Sequence, residues 1–298
     1  MTRAQAAAIH LEHKRFPQSE RRPMRPRVLV ALHGSAAPSE SIAMGRLVSS
    51  TMQQPLHGVF ISKSPTEPND VPQILHLPSY ALEGIVLDVE EGDPAARLAE
   101  ISKMHPTAFL VVGADPSAGD KLGVGTFAAR VIEESSAPVL VVRPGNAAKI
   151  QRILVPHDGT PTTAIALEPA GDLARASGAS LDILLVGEAQ RFPPETEPGA
   201  MTLPQYVDQP HHEWPAFSEE FVERFMKALG HCPSDVPIRF FLGAGDPGEE
   251  ILRYAEMFSS DLAVLVWHGH ASARHGGVFQ TVLRRANCSV LILRANEG

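Results

Sequence analysis

Two stretches of this chain have residue types suited to holding an anion against the backbone. The first, Gly113-Ala-Asp-Pro-Ser-Ala-Gly119-Asp-Lys-Leu-Gly-Val-Gly125-Thr126, spaces glycines through a polar loop and closes on a hydroxyl residue. Glycine lets a backbone approach a phosphate closely, and the free N–H groups at a helix start attract negative charge. The Thr126 hydroxyl adds one more donor. The second stretch runs from Trp267 through Gly269 to Gly276-Gly277. Each has an upstream companion that can accept a hydrogen bond: His33-Gly34 for the first, and Pro156-His157-Asp158-Gly159 for the second. The alternative for all of these residues is a tight turn onto a helix that needs no ligand, with Asp158 as a cap.

Residues so far apart meet a ligand only if strands deliver them to one edge. Short apolar runs over 28–32, 56–61, 84–89, 108–112 and 138–142 read as strands, separated by helical patterns over 39–53, 94–104 and 126–134. Strands apolar on both faces, alternating with helices, predict a parallel sheet with helices on both sides. In such a sheet ligands bind beyond the carboxyl ends of the strands, which is where the turns after the first and fourth strands lie.

The pattern is then written a second time. RVLVALHGS at 27–35 matches RILVPHDGT at 152–160, and GDPAARLA at 92–99 matches GDPGEEIL at 245–252. GTFAARVIEESSAPVLVVR at 125–143 aligns without a gap to GGVFQTVLRRANCSVLILR at 276–294. A period near half the chain means two similar domains. The expected division is an extension over 1–26, a first domain over 27–145 and a second over 150–298, joined by a short polar linker. The first strands are 125 residues apart but the GDP turns are 153 apart, so the second copy gains about 28 residues within 187–237. This insertion is expected to fold over the second copy as a lid anchored by Tyr206 and Trp214, because exposed aromatics would otherwise leave large apolar areas in water.

The ordered set, namely strand-Asp-Gly-Thr, GDP before a helix, and a glycine loop leading to a helix and PVLVVR, resembles the universal stress protein family over nearly the whole chain after residue 27. The resemblance implies α/β domains in tandem, each an open parallel five-stranded sheet of strand order 3-2-1-4-5 with helices on both faces. It implies a pseudo-dimer inside the chain, made through the last strands at 138–142 and 289–293, and leaves a further homodimer open. It also implies stress-linked roles and, in one subclass, ATP or another adenine nucleotide, with magnesium. That subclass has a Gly-x2-Gly-x9-Gly-Ser/Thr loop after the fourth strand and an Asp ending the first.

Each copy keeps part of that constellation. In the first, Gly113, Gly125 and Thr126 are in place, but the loop is one residue short, Pro116 stands at the second glycine and His33 at the Asp. In the second, Asp158 is kept, but Trp267 stands at the position of Gly113 and should crowd the crevice, leaving Gly269 and Gly276 a smaller pocket. The expected function is a stress-response protein that binds or senses an adenine nucleotide, with Gly125-Thr126 holding the phosphates. The alternatives are a nucleotide-free regulatory or interaction protein and a weak nucleotide hydrolase. No general base with an orienting partner stands out, so an enzyme is not expected. Asp115 or Asp120 would be the minimal metal-binding acid for hydrolysis.

Composition bounds the rest. A net charge of −8 argues against nucleic acid as partner, and no apolar run reaches the length of a membrane span. Seven basic against two acidic residues in the first 27 mark a locally basic, solvated leader. Two cysteines, Cys232 and Cys288, give no disulfide framework, so a reducing, cytoplasmic setting is expected. Asp208, His211, His212 and Glu213 are of metal-binding type, but adjacent histidines usually point apart. His268-Gly269-His270 is one residue short of a nucleotidyl-transferase HxGH and follows the wrong strand.

Overall fold

The computed structural model describes residues 25–33, 38–158, 160–187, 235–267 and 274–295. Its first half runs β1 (Arg27–Ala31), α1 (Pro38–Thr51), β2 (Leu56–Ser62), β3 (Val86–Glu91), α3 (Pro94–Met104), β4 (Thr107–Gly113), α4 (Thr126–Glu134) and β5 (Val139–Val142). A short helix α2 (Val71–Ile74) and flanking 3-10 turns occupy the link between β2 and β3, which the sequence reading left without elements. The second half runs β6 (Arg152–His157), α5 (Pro161–Ala164), α6 (Leu167–Ser177), β7 (Ser180–Gly187), β8 (Ile238–Ala244), α7 (Pro247–Met257), β9 (Leu262–Trp267), α8 (Arg274–Arg285) and β10 (Ser289–Arg294).

Each half has the strand order that the family resemblance implies, and every pairing inside a half is parallel. One expectation needs correcting. The two sheets do not stay separate: β5 and β10 pair antiparallel, giving one ten-stranded sheet, β3-β2-β1-β4-β5-β10-β9-β6-β7-β8. The junction uses the last strands, as the resemblance implies. Its central pair is Leu140 and Leu291, which are counterparts in the repeat, flanked by Val141 with Val290 and Val139 with Ile292. An edge of bare N–H and C=O groups in each half is satisfied by its sibling.

Two apolar layers cover the sheet. Because side chains alternate along a strand, Val28, Val30, Val111, Leu140 and Val142 face α1, and Val155 and Leu291 continue that layer under α6. Leu29, Leu110, Val112 and Val141 face the other way, toward α3 and α4, and Ala263, Val290 and Ile292 carry that layer under α7 and α8. Both layers pass through the junction without a break. The GDP turns serve the same purpose twice: Asp93 accepts from the Ala96 N–H at 3.1 Å and Asp246 from the Glu249 N–H at 3.0 Å, each capping a helix that opens with proline.

Candidate functional site

Strand order reverses direction between β1 and β4, and again between β6 and β9. The crevices beyond their carboxyl ends are therefore the candidate sites. The two are furnished differently.

In the first half, Gly113 is the buried last residue of β4. His33 follows β1, half-buried, with its ring edge-on to Phe127 of α4 at 5.4 Å between centroids. Burial holds its imidazole below the ordinary pKa, opposed by a backbone hydrogen bond at Ile61 and the Asp93 charge. Asp93 is gripped by Arg130 of α4 at 2.9 Å, which lowers its carboxyl to about 2. After β4, Asp115 caps a short turn by accepting from the Ser117 N–H at 3.1 Å, with Pro116 at its first position. Gly119 closes that turn at φ 65°. Gly125, at φ 93°, packs on Asp115: a Cβ there would lie 3.0 Å from both the Asp115 carbonyl oxygen and its Cβ. This glycine is required with or without a ligand. Thr126 is exposed at the first position of α4.

Asp120 decides the chemistry of this loop. Its carboxylate accepts from the Leu122 N–H at 2.7 Å, from the Val124 N–H at 3.0 Å and from the Gly125 N–H. Of the backbone donors expected to face a phosphate, the Gly125 N–H is thus held by a side chain of the loop itself, and a full negative charge stands beside the start of α4, which has no side-chain cap. The sequence reading noticed Asp120 only as a possible metal ligand. Among the described residues no group of three or more His, Cys, Asp or Glu is placed to hold a metal ion.

In the second half, Trp267 ends β9 and is only 4% exposed. Its ring packs against Phe279 of α8, tilted by 34° with centroids 4.4 Å apart, and its indole N–H has no partner among the described residues. The expected crowding is present. Pro156 and His157 complete β6, and burial pushes the His157 imidazole down to about 4. Asp158 accepts from the Thr160 N–H at 2.9 Å and from the hydroxyls of Thr160 and Thr163 at 2.7 and 2.6 Å. It braces the turn into α5, where Thr160 is the capping residue, much as the ligand-free alternative had it. Gly276 and Gly277 lie in the first turn of α8, and a Cβ at Gly277 would meet nothing within 4 Å. Gly34, Gly159 and Gly269 lie outside the described residues, as do Tyr206, Trp214, His211 and His212. Cys288 is buried, and burial pushes its thiol up to about 11, so it is no nucleophile.

Three residues that the sequence reading passed over shape the first loop. Gly123, at φ 69°, lies against Arg284 of α8, and Arg143 at the end of β5 donates to the Gly123 and Leu283 carbonyls. A charge reversal between the matched positions Glu133 and Arg284 was the signal available for Arg284.

Residues 149–294 match the model of the universal stress protein family. Among solved structures, the chain is similar to a putative universal stress protein from Pseudomonas aeruginosa UCBPP-PA14, at 15% identity and a TM-score of 0.61, covering 91% of this chain and 94% of that one. A universal stress protein from Archaeoglobus fulgidus DSM 4304 is similar at 15% identity and a TM-score of 0.56, covering 91% and 97%. At such identities these likenesses speak for the fold over both halves, while the family model speaks for the second. The second half thus belongs to the universal stress protein family, and the first half repeats its strand order and its capped GDP turn.

Proposed function

We propose that this stress-response protein works without a resident nucleotide, as a two-part regulatory or interaction protein of the reducing cytoplasm. The observation that carries the reading is that both crevices are furnished from within. Trp267 fills the second, and in the first the Asp120 carboxylate takes the Leu122, Val124 and Gly125 N–H groups and sets a negative charge beside the start of α4. As they stand, the residues present do not fit a phosphate-bearing ligand in either half, because a phosphate would have to displace that carboxylate or share the loop with its like charge, and an N–H already bonded to a carboxylate gains little by the exchange. Native mass spectrometry of freshly purified protein tests this. The polypeptide mass alone is expected, and a stoichiometric adenine nucleotide would overturn the proposal. In the same samples, added ATP is expected to stay intact.

A second reading has one observation in its favour. The first crevice keeps Gly113 where the second has Trp267, and a half-exposed His33 stands beside the Phe127 ring. In this reading an adenine nucleotide with magnesium enters the first half and displaces the Asp120 carboxylate. Calorimetry with ATP on Asp120→Asn separates the two: appearance of binding favours the second reading, and its absence leaves the first.

A further inference from the structure

We infer that the loop after β4 in the first half is set by the second half, with Arg284 of α8 as its positioning residue. The candidate site of the first half is then composite and incomplete without its sibling. Arg284 donates from its guanidinium to the Lys121 carbonyl. Its stem lies so close to the loop that a Cβ at Gly123 would fall 2.7 Å from its Cγ and 3.2 Å from its Cα. Gly123 is therefore demanded twice, by its left-handed φ of 69° and by the helix lying against it. From the other side Arg143 reaches the Gly123 carbonyl at 3.4 Å and also the Leu283 carbonyl, tying the same stretch of loop to the same end of α8. Asp120 holds the loop from within through the N–H groups of Leu122, Val124 and Gly125.

Further toward the N-terminus of α8, at mid-helix, Phe279 packs on Trp267 in the second crevice. Between Phe279 and Arg284, Val282 and Leu283 are fully buried in the common apolar layer. One helix thus runs from the filled crevice of one half to the loop of the other, and rigid packed elements of this kind carry a displacement from end to end. The relation has a direction. The repeat counterpart of Arg284 is Glu133, whose carboxylate cannot donate to a carbonyl, and what the second half takes from Glu133 is its backbone oxygen, bonded by Arg294 at 2.9 Å. The inference does not require a nucleotide in either half.

Amide hydrogen exchange on the full chain tests it. Arg284→Ala is expected to speed exchange at Leu122, Val124 and Gly125 by about tenfold or more while the β4 amides keep their protection, since a local opening leaves the global one untouched. Arg294→Ala, which removes another bond donated by the second half to the first, to the Glu133 carbonyl away from this loop, should leave those three amides at their original rates. No acceleration in Arg284→Ala, or equal acceleration in both variants, would overturn the inference. Exchange measured at increasing denaturant separates local opening from general weakening if Arg284→Ala proves less stable. Gly123→Ala supplies an independent arm: it should accelerate the same amides, and adding Arg284→Ala should then do little more, because both changes break one contact. Multiplicative effects would show two unrelated sites.

Discussion

The first crevice is closed by a charge and the second by a ring. Asp120 draws three backbone N–H groups onto its carboxylate, whereas Trp267 lays apolar surface against Phe279. Both occur on the same fold, after matched strands, and each occupies its crevice with a side chain of the protein itself. A family scaffold can therefore be kept while its crevice is filled by whichever means a half has available. Hydrogen bonding leaves a polar surface that water or an anion can contest; aromatic packing does not. The first half is accordingly the one in which a single substitution should open a site, and the second the one in which it should open a cavity.

The sharpest way to break this comparison is to remove the ring. Trp267→Ala should cost about 3–5 kcal/mol, as large-to-small changes of buried aromatics do, read as a lower midpoint in denaturant. A loss under about 1 kcal/mol would mean that the ring does not fill the crevice.

Next in size is an effect of pH confined to the second half. His157 is buried there, where the matched first-half position is Leu32. The imidazole titrates near 6.5 in the unfolded chain and about 4 in the folded one. Between those values the unfolded state binds more protons, so stability is lost as the pH falls from about 6.5 to about 4 and levels off below. The loss is on the order of 3 kcal/mol. His157→Leu, copying the first half, should flatten that part of the stability–pH curve, and an unchanged slope would place the titrating group elsewhere.

Asp120→Ala should follow, at about 1–3 kcal/mol, because it leaves backbone donors without their acceptor. Asp120→Asn should cost less, since its amide oxygen can still accept. The reverse order would show that the carboxylate is a strain on the loop. The smallest change sharpens the comparison by testing where the halves agree. Asp246→Ala removes a helix cap and should cost about 1 kcal/mol, and Asp93→Ala should move stability in the same direction. An effect in only one half would mean that the two GDP turns are not equivalent.

Most of the frame was legible because the repeat and the apolar runs are periodic. The helices at Pro94–Met104 and Thr126–Glu134 and the strand at Leu262–Trp267 fall where proline, glycine and apolar spacing place them. The Trp267 crowding was legible too, since it needed only a matched position and a side-chain volume. The role of Asp120 was not. A carboxylate bonding N–H groups two, four and five residues onward leaves no period in a loop, and the same residue type serves equally as a metal ligand. The Arg284–Gly123 contact was further out of reach, because those residues are remote in sequence and meet only once β5 and β10 have paired. The one-sheet architecture shares that cause: the strands were readable, but their joining is a property of two edges together.

That junction also settles how the halves respond to dilution. Two separate chains paired through such edges would part at low concentration, each then free to take a different mate. Here the stretch 144–149 tethers them, with the Gly145 N–H bonded to Glu40 at 3.1 Å and the Asn146 amide to the Asn287 carbonyl at 2.8 Å. A tether this short holds the second edge near the first at an effective concentration in roughly the millimolar range, however little protein is present. The ring-filled half consequently always has the charge-filled half as its neighbour, in a fixed one-to-one ratio that expression level cannot alter.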